Sequence, residues 1–142
     1  MKNRKVLIVE DEEVIRKVLR LTLGKWGFEV EEAEDGAQAL RKLEKEHYHL
    51  IICDIVMPNL NGWDLIKKVR EETKTRDIRI IALTGRNKAA DMFKGYELGA
   101  NYYMTKPFTQ AQLQYGIQLV LDEPMEPSPA IDLSEEFEKE DS

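Results

Sequence analysis

The sequence predicts a doubly wound α/β fold, five parallel strands with helices on both faces, and two observations carry that reading. Nearly continuous apolar runs recur as "KVLIVE" from Lys5, "LIICD" from Leu50 and "IRIIALT" from Ile78, the form taken by strands buried on both sides. Between such runs lie stretches of helical periodicity, and short-spaced alternation of strand and helix builds a parallel sheet through right-handed crossovers.

The elements follow in order. After the first strand, Val14, Ile15, Val18 and Leu19 mark one apolar face of a helix. "FEVEEA" over 28–33 alternates Phe28 and Val30 with acids, which predicts a strand at the sheet edge. Ala37, Leu40 and Leu43 mark a second helix, and the third strand then ends abruptly on Asp54, before a turn containing Pro58, Asn59, Asn61 and Gly62. Leu65, Ile66 and Val69 give the third helix, the run from Ile78 to Thr84 the fourth strand, and a less regular pattern over 89–98 the fourth helix. "NYYMT" reads as the fifth strand, and Leu113, Ile117, Val120 and Leu121 as the fifth helix. No internal repeat is present.

A length of 142 residues with 42% hydrophobic composition suits one domain, placed at 1–121. Charge divides sharply: residues 1–121 hold 20 basic and 18 acidic side chains, whereas 122–142 hold Lys139 against nine acids, so +2 and −8 give the total of −6. The acidic tail "DEPMEPSPAIDLSEEFEKEDS" has three prolines and few large apolar residues. It is expected to be a disordered extension, acting as a solubilising end or as a partner-binding segment through Ile131, Leu133 and Phe137. No stretch approaches the roughly 20 apolar residues of a membrane span, and the N-terminus lacks the apolar length of a signal peptide, so a cytoplasmic protein without membrane contact is expected. Cys53 is the single cysteine; it excludes an internal disulfide and reads as packing.

In such a sheet the functional crevice lies beyond the carboxyl ends of the strands. There the first strand delivers Glu10 and Asp11, the third Asp54 and the fourth Thr84, while Lys106 and Pro107 follow the fifth. Each has an ordinary explanation alone: Asp11 as a helix cap, Thr84 as a turn cap, Lys106 as a solvated cation. Together they form three carboxylates, a hydroxyl and an ammonium on one rim. Clustered carboxylates attract a hard cation such as Mg²⁺, which keeps coordination positions for a further anionic ligand, and a phosphoryl group is that ligand. Asp54 then serves as a carboxylate nucleophile forming an acyl phosphate, with Lys106 neutralising equatorial oxygens and Thr84 donating a hydrogen bond.

The segments "VLIVEDEE", "IICDIVMPNLNG", "IIALTG" and "YYMTKPF", in this order and spacing, resemble a response-regulator receiver domain of two-component phosphorelays over about residues 4–121. The resemblance implies a flavodoxin-like sheet of order 2-1-3-4-5, the order of this family's fold. It also implies that Asp54 is the phosphoacceptor, that Glu10, Asp11, Asp54 and the main-chain carbonyl of Val56 hold Mg²⁺, and that Thr84, Gly85 and Lys106 receive the phosphoryl group. Glu10 stands where the family more often has aspartate. Lys106–Pro107 matches the family's usual cis peptide, and Tyr103 matches its aromatic switch position, paired with Thr84. Val56 and Arg86 flank the path of a hydrolytic water and so tune the lifetime of the acyl phosphate. The donor implied is a sensor histidine kinase or phosphotransfer protein. The readout implied is a downstream protein target at the face made by the fourth helix, the fifth strand and the fifth helix, with the chain a monomer or a phosphorylation-dependent weak dimer.

Other readings are weaker. A nucleotide-binding module needs a glycine-rich cradle after the first strand, where this chain has "EDEEV", and a dehalogenase-like phosphatase needs a second aspartate at position 56, which is valine. A degenerate receiver acting only as a scaffold conflicts with the intact acids, Thr84 and Lys106. His47 and His49 fall at the opposite end from the crevice, and Trp26 and Trp63 read as packing anchors. The basic residues of the helices are interleaved with acids and give no direct nucleic-acid footprint. With no recognisable output domain after Leu121, the expectation is a stand-alone module that catalyses only its own phosphorylation and slow dephosphorylation.

Overall fold

The computed structural model describes residues 4–55, 61–85, 97–122 and 131–141. Its strands are β1 (Lys5–Val9), β2 (Glu29–Ala33), β3 (Leu50–Asp54), β4 (Arg79–Thr84) and β5 (Tyr102–Thr105), and its helices are α1 (Glu13–Lys25), α2 (Gly36–Lys45), α3 (Gly62–Glu71), α4 (Gln110–Leu121) and α5 (Ser134–Asp141). The fifth helix expected from sequence is thus α4, and most of the fourth expected helix lies outside the described residues, which resume with helical Glu97 and Leu98.

All the pairings are parallel and the order is β2-β1-β3-β4-β5, which confirms the doubly wound sheet. Alternation along each strand sends side chains to two cores. Leu7, Val9, Ile51, Cys53, Ile80 and Ala82 face Ala39 and Leu43 of α2 and Leu65, Ile66 and Val69 of α3. Val6, Ile8, Leu50, Ile52, Ile81 and Leu83 face Leu19 and Leu23 of α1 and Leu113, Ile117 and Val120 of α4. The central strands are apolar at successive positions because both of their faces are covered. Among the described residues β2 pairs only with β1, so its acids can reach solvent. Helix starts are fixed locally: Asp35 accepts from the Gln38 amide, Asn61 from the Asp64 amide, and Thr109 with Gln112 forms a reciprocal capping box. Trp26 and Trp63 pack against the two cores as expected.

The edge carries a charge cluster. Lys5 Nζ lies 2.9 Å from Glu31 and 2.5 Å from Glu46, and the buried Tyr48 hydroxyl donates to Glu31 at 3.0 Å. Hydrogen bonding from Lys5 first, then the rest of this cluster, holds the Glu31 carboxyl down at about 2, against 4.5 ordinarily. A depressed carboxyl stabilises the fold fully above its unfolded pKa and loses that contribution as pH falls through the folded value. The stability advantage of wild type over Glu31→Gln is therefore expected to be constant above about pH 5 and to shrink between about pH 5 and pH 2. Urea denaturation across that range measures it; a gap that widens on acidification would contradict the assignment.

The C-terminal segment departs from the expectation of disorder. Ser134–Asp141 is helical, and the chain before it is held by the Gln110 side-chain amide, which donates to the Ile131 carbonyl at 2.8 Å and accepts from the Ile131 amide at 2.7 Å. Composition undervalues this segment because its partners lie on α1 and α4, far away in sequence.

Candidate phosphoryl and metal site

β1 ends one residue before Glu10, whose amide donates to the Ala33 carbonyl at 3.1 Å, so β2 fixes where the first acid leaves the sheet. Glu10 is fully buried and Asp54 is 5% exposed, whereas Asp11 is exposed. One carboxylate oxygen from each of the three lies within 4.8 Å of the others. Lys106 enters from the end of β5: its Nζ is 2.5 Å from Glu10 Oε1, 3.3 Å from Asp54 Oδ2 and 3.4 Å from Glu12 Oε2. The Lys106 amide donates to the Thr84 carbonyl at 2.7 Å, which ties the lysine to the end of β4, and the Lys106–Pro107 peptide is cis.

The electrostatics follow from that geometry. Burial is the main force pushing the Glu10 carboxyl up to about 7, with the charge of Asp54 adding to it, while Lys106 and the Glu12 amide, 3.1 Å from Oε2, pull the other way. For Lys106, burial works against the charge, but Glu10 and Asp54 outweigh it and hold the ammonium above its usual range. The lysine thus partly offsets an excess of negative charge that a divalent cation would offset further. Glu10, Asp11 and Asp54 offer only carboxylate oxygens, the donor type that Mg²⁺ takes, so the residues present fit that ion.

Thr84 is fully buried, and Gly85 beside it is exposed; an added Cβ there would meet no atom of the described residues within 4 Å. Tyr103 is 5% exposed and belongs to the α2–α3 core, so its ring is already inward. Val56 and Arg86 lie outside the described residues. Cys53 is completely buried and burial pushes its thiol well up, in keeping with a packing role. His49 sits at the opposite end of the sheet, accepting from the Lys5 amide at 3.0 Å, with its pKa lowered chiefly by burial.

Three participants were not singled out from sequence. Glu12 is a third carboxylate on Lys106; its signal was the unbroken acid run "EDEE". Arg16 donates to the Glu10 carbonyl at 2.8 Å and braces the first loop from one turn into α1. Gly62, read only as a turn residue, packs directly under the Asp54 carbonyl.

Comparison with known proteins agrees with this geometry. A profile described as the response regulator receiver domain matches residues 6–118. Among curated proteins, the phosphate regulon transcriptional regulatory protein PhoB of Escherichia coli is 38% identical over 118 residues, covering 83% of this chain and 52% of PhoB. The probable transcriptional regulator ycf27 of Porphyridium aerugineum is 37% identical over 121 residues, covering 85% of this chain and 49% of its own. The chain spans about half the length of these relatives. Chemotaxis protein CheY4 of Vibrio cholerae superposes with a TM-score of 0.79 at 35% identity, covering 82% of this chain and 98% of CheY4. The receiver domain of sensor histidine kinase PA1611 from Pseudomonas aeruginosa, with magnesium coordinated in its active-site cleft, gives 0.78 at 32% identity, covering 84% and 98%.

Proposed function

The chain belongs to the response regulator receiver domain family, and on that premise we propose that it accepts a phosphoryl group on Asp54 from a phosphohistidine donor and passes the signal on through a change of surface. The observation that carries this reading is the convergence of Glu10, Asp11, Asp54 and Lys106 at the carboxyl ends of three parallel strands. An Asp54 carboxylate oxygen forms a bond to phosphorus as the bond from phosphorus to the donor nitrogen breaks, and the leaving imidazole keeps the electron pair. Lys106, already 3.3 Å from Asp54, holds the transferred group's oxygens, and the Thr84 hydroxyl donates to another. Glu10, Asp11, Asp54 and the Val56 carbonyl would hold Mg²⁺, which would supply charge neutralisation there.

Incubation with acetyl phosphate and Mg²⁺ is expected to add one phosphoryl group, mapped by mass spectrometry to the peptide containing Asp54, and chelation of Mg²⁺ is expected to prevent it. Phosphate recovered on another residue would overturn the assignment.

Val56 cannot orient a hydrolytic water, so Val56 with Arg86 sets a slow loss of phosphate. The readout is proposed to run through Thr84 and Tyr103, where the buried ring marks one arrangement of a two-state element that phosphorylation favours. The surface affected is the outer side of β5 and α4 together with the segment preceding Glu97. The curated relatives are named as transcriptional regulators, and this chain covers about half of each. Among the described residues no helix is long and apolar enough to cross a membrane.

A further inference from the structure

The side of α1 and α4 turned away from the sheet carries contacts that phosphoryl chemistry does not use. Gln110, at the start of α4, pairs its side-chain amide with both backbone groups of Ile131, as a strand would. The chain then turns through Asp132, whose Oδ1 accepts from the Ser134 amide at 2.9 Å, into α5. Glu136 lies 2.7 Å from Lys25 Nζ, and Lys17 Nζ stands 4.2 Å from the centre of the Phe137 ring. These contacts differ in kind: one reads backbone, one charge and one an aromatic ring.

Charge explains the choice of surface. α1 carries Arg16, Lys17, Arg20 and Lys25 against Glu13, and the α5 sequence "SEEFEKED" carries five acids against Lys139. Arg16 and Arg20 each reach Glu32 on β2 at 3.3 Å, whereas Lys17 and Lys25 meet the C-terminal segment. An isolated helix of 8 residues is too short to hold itself in water, so α5 depends on this docking.

We propose that the α1–α4 face is a docking site for an acidic helical segment bearing an aromatic residue, and that residues 131–141 occupy it in cis. The segment starts at Gln110, four positions after Lys106, and runs along the helix whose first turn follows Glu12. Its helix then lies against Lys17 in the middle of α1 and Lys25 at its end, so a macromolecule that binds the α1–α4 face must displace it. This goes beyond the phosphoacceptor reading and needs no phosphoryl transfer to be tested.

The test uses the full chain and a double variant, Glu136→Lys with Phe137→Ala, whose substitutions lie outside both cores. Amide hydrogen exchange over 135–141 is expected to be at least tenfold slower in wild type than in the variant. A synthetic peptide of residues 131–142 is expected to bind the opened variant at least tenfold more tightly than wild type. That binding should weaken on adding Gln110→Ala and on raising salt, because a partly exposed pair such as Lys25–Glu136 is screened. Equal exchange in the two chains, or a peptide that binds neither or both alike, overturns the proposal. Protection that rises with protein concentration overturns it too, since the occupant would then be the segment of a second copy.

Discussion

Asp54→Asn is expected to take up no phosphoryl group from acetyl phosphate at any Mg²⁺ concentration, and to melt at a higher temperature than wild type when Mg²⁺ is absent. The two effects have one cause. The carboxylate that acts as nucleophile is nearly buried, shares Lys106 with fully buried Glu10 and adds to the pressure that raises the Glu10 carboxyl. An amide of the same shape cannot attack phosphorus and removes one of the like charges around a single ammonium. Lys106 keeps Glu10 at 2.5 Å. Relief on the order of 1 kcal/mol, the equivalent of about one pKa unit, is the expected gain. Added Mg²⁺ should then stabilise wild type more than the variant, because an ion bound only by the folded chain stabilises it by mass action. Mass spectrometry and calorimetry with and without Mg²⁺ give both readouts. Phosphorylation of the variant at the wild-type rate would remove Asp54 from its role, and a melting temperature lowered by the substitution would show that the Lys106 pair outweighs the repulsion.

Gly62→Ala is expected to destabilise the fold by on the order of 3 kcal/mol, the upper end for overpacking, and to lower the melting temperature by roughly 10 °C. A Cβ at this position would run into the Asp54 carbonyl oxygen and the Ile55 Cα. These obstacles are backbone held by the sheet: the Ile55 amide donates to the Leu83 carbonyl at 2.9 Å, and the Gly62 amide to the Ile55 carbonyl at 2.9 Å. Neither can swing aside as a side chain would. Any adjustment moves Asp54 itself, so Mg²⁺ affinity and phosphorylation should fall with stability. Gly24→Ala is the contrast, because a Cβ in that turn of α1 meets nothing within 4 Å. It should stabilise by about 0.5–1 kcal/mol through helix propensity. Thermal melts of both variants decide the matter: a Gly62→Ala chain that melts with wild type would mean the approach to Asp54 relaxes freely.

Sequence alone determined the parts of this protein that depend on local periodicity and on strand ends. The apolar runs at β1, β3 and β4 identified strands covered on both faces, and the alternation of "FEVEEA" identified the edge. The acids and Thr84 fell at the carboxyl ends of strands, so the topology of a parallel sheet sufficed to gather them on one rim. Tertiary structure decided what depends on distances between remote side chains. It alone shows Lys106 shared among Glu10, Asp54 and Glu12, and Gly62 pressed beneath the Asp54 carbonyl. It also shows an acidic segment, read as disordered from its composition, helical against Lys17 and Lys25. Burial is written into the sequence one residue at a time by apolar pattern, whereas an ion pair or a close backbone approach arises only when crossovers bring distant residues within a few ångströms.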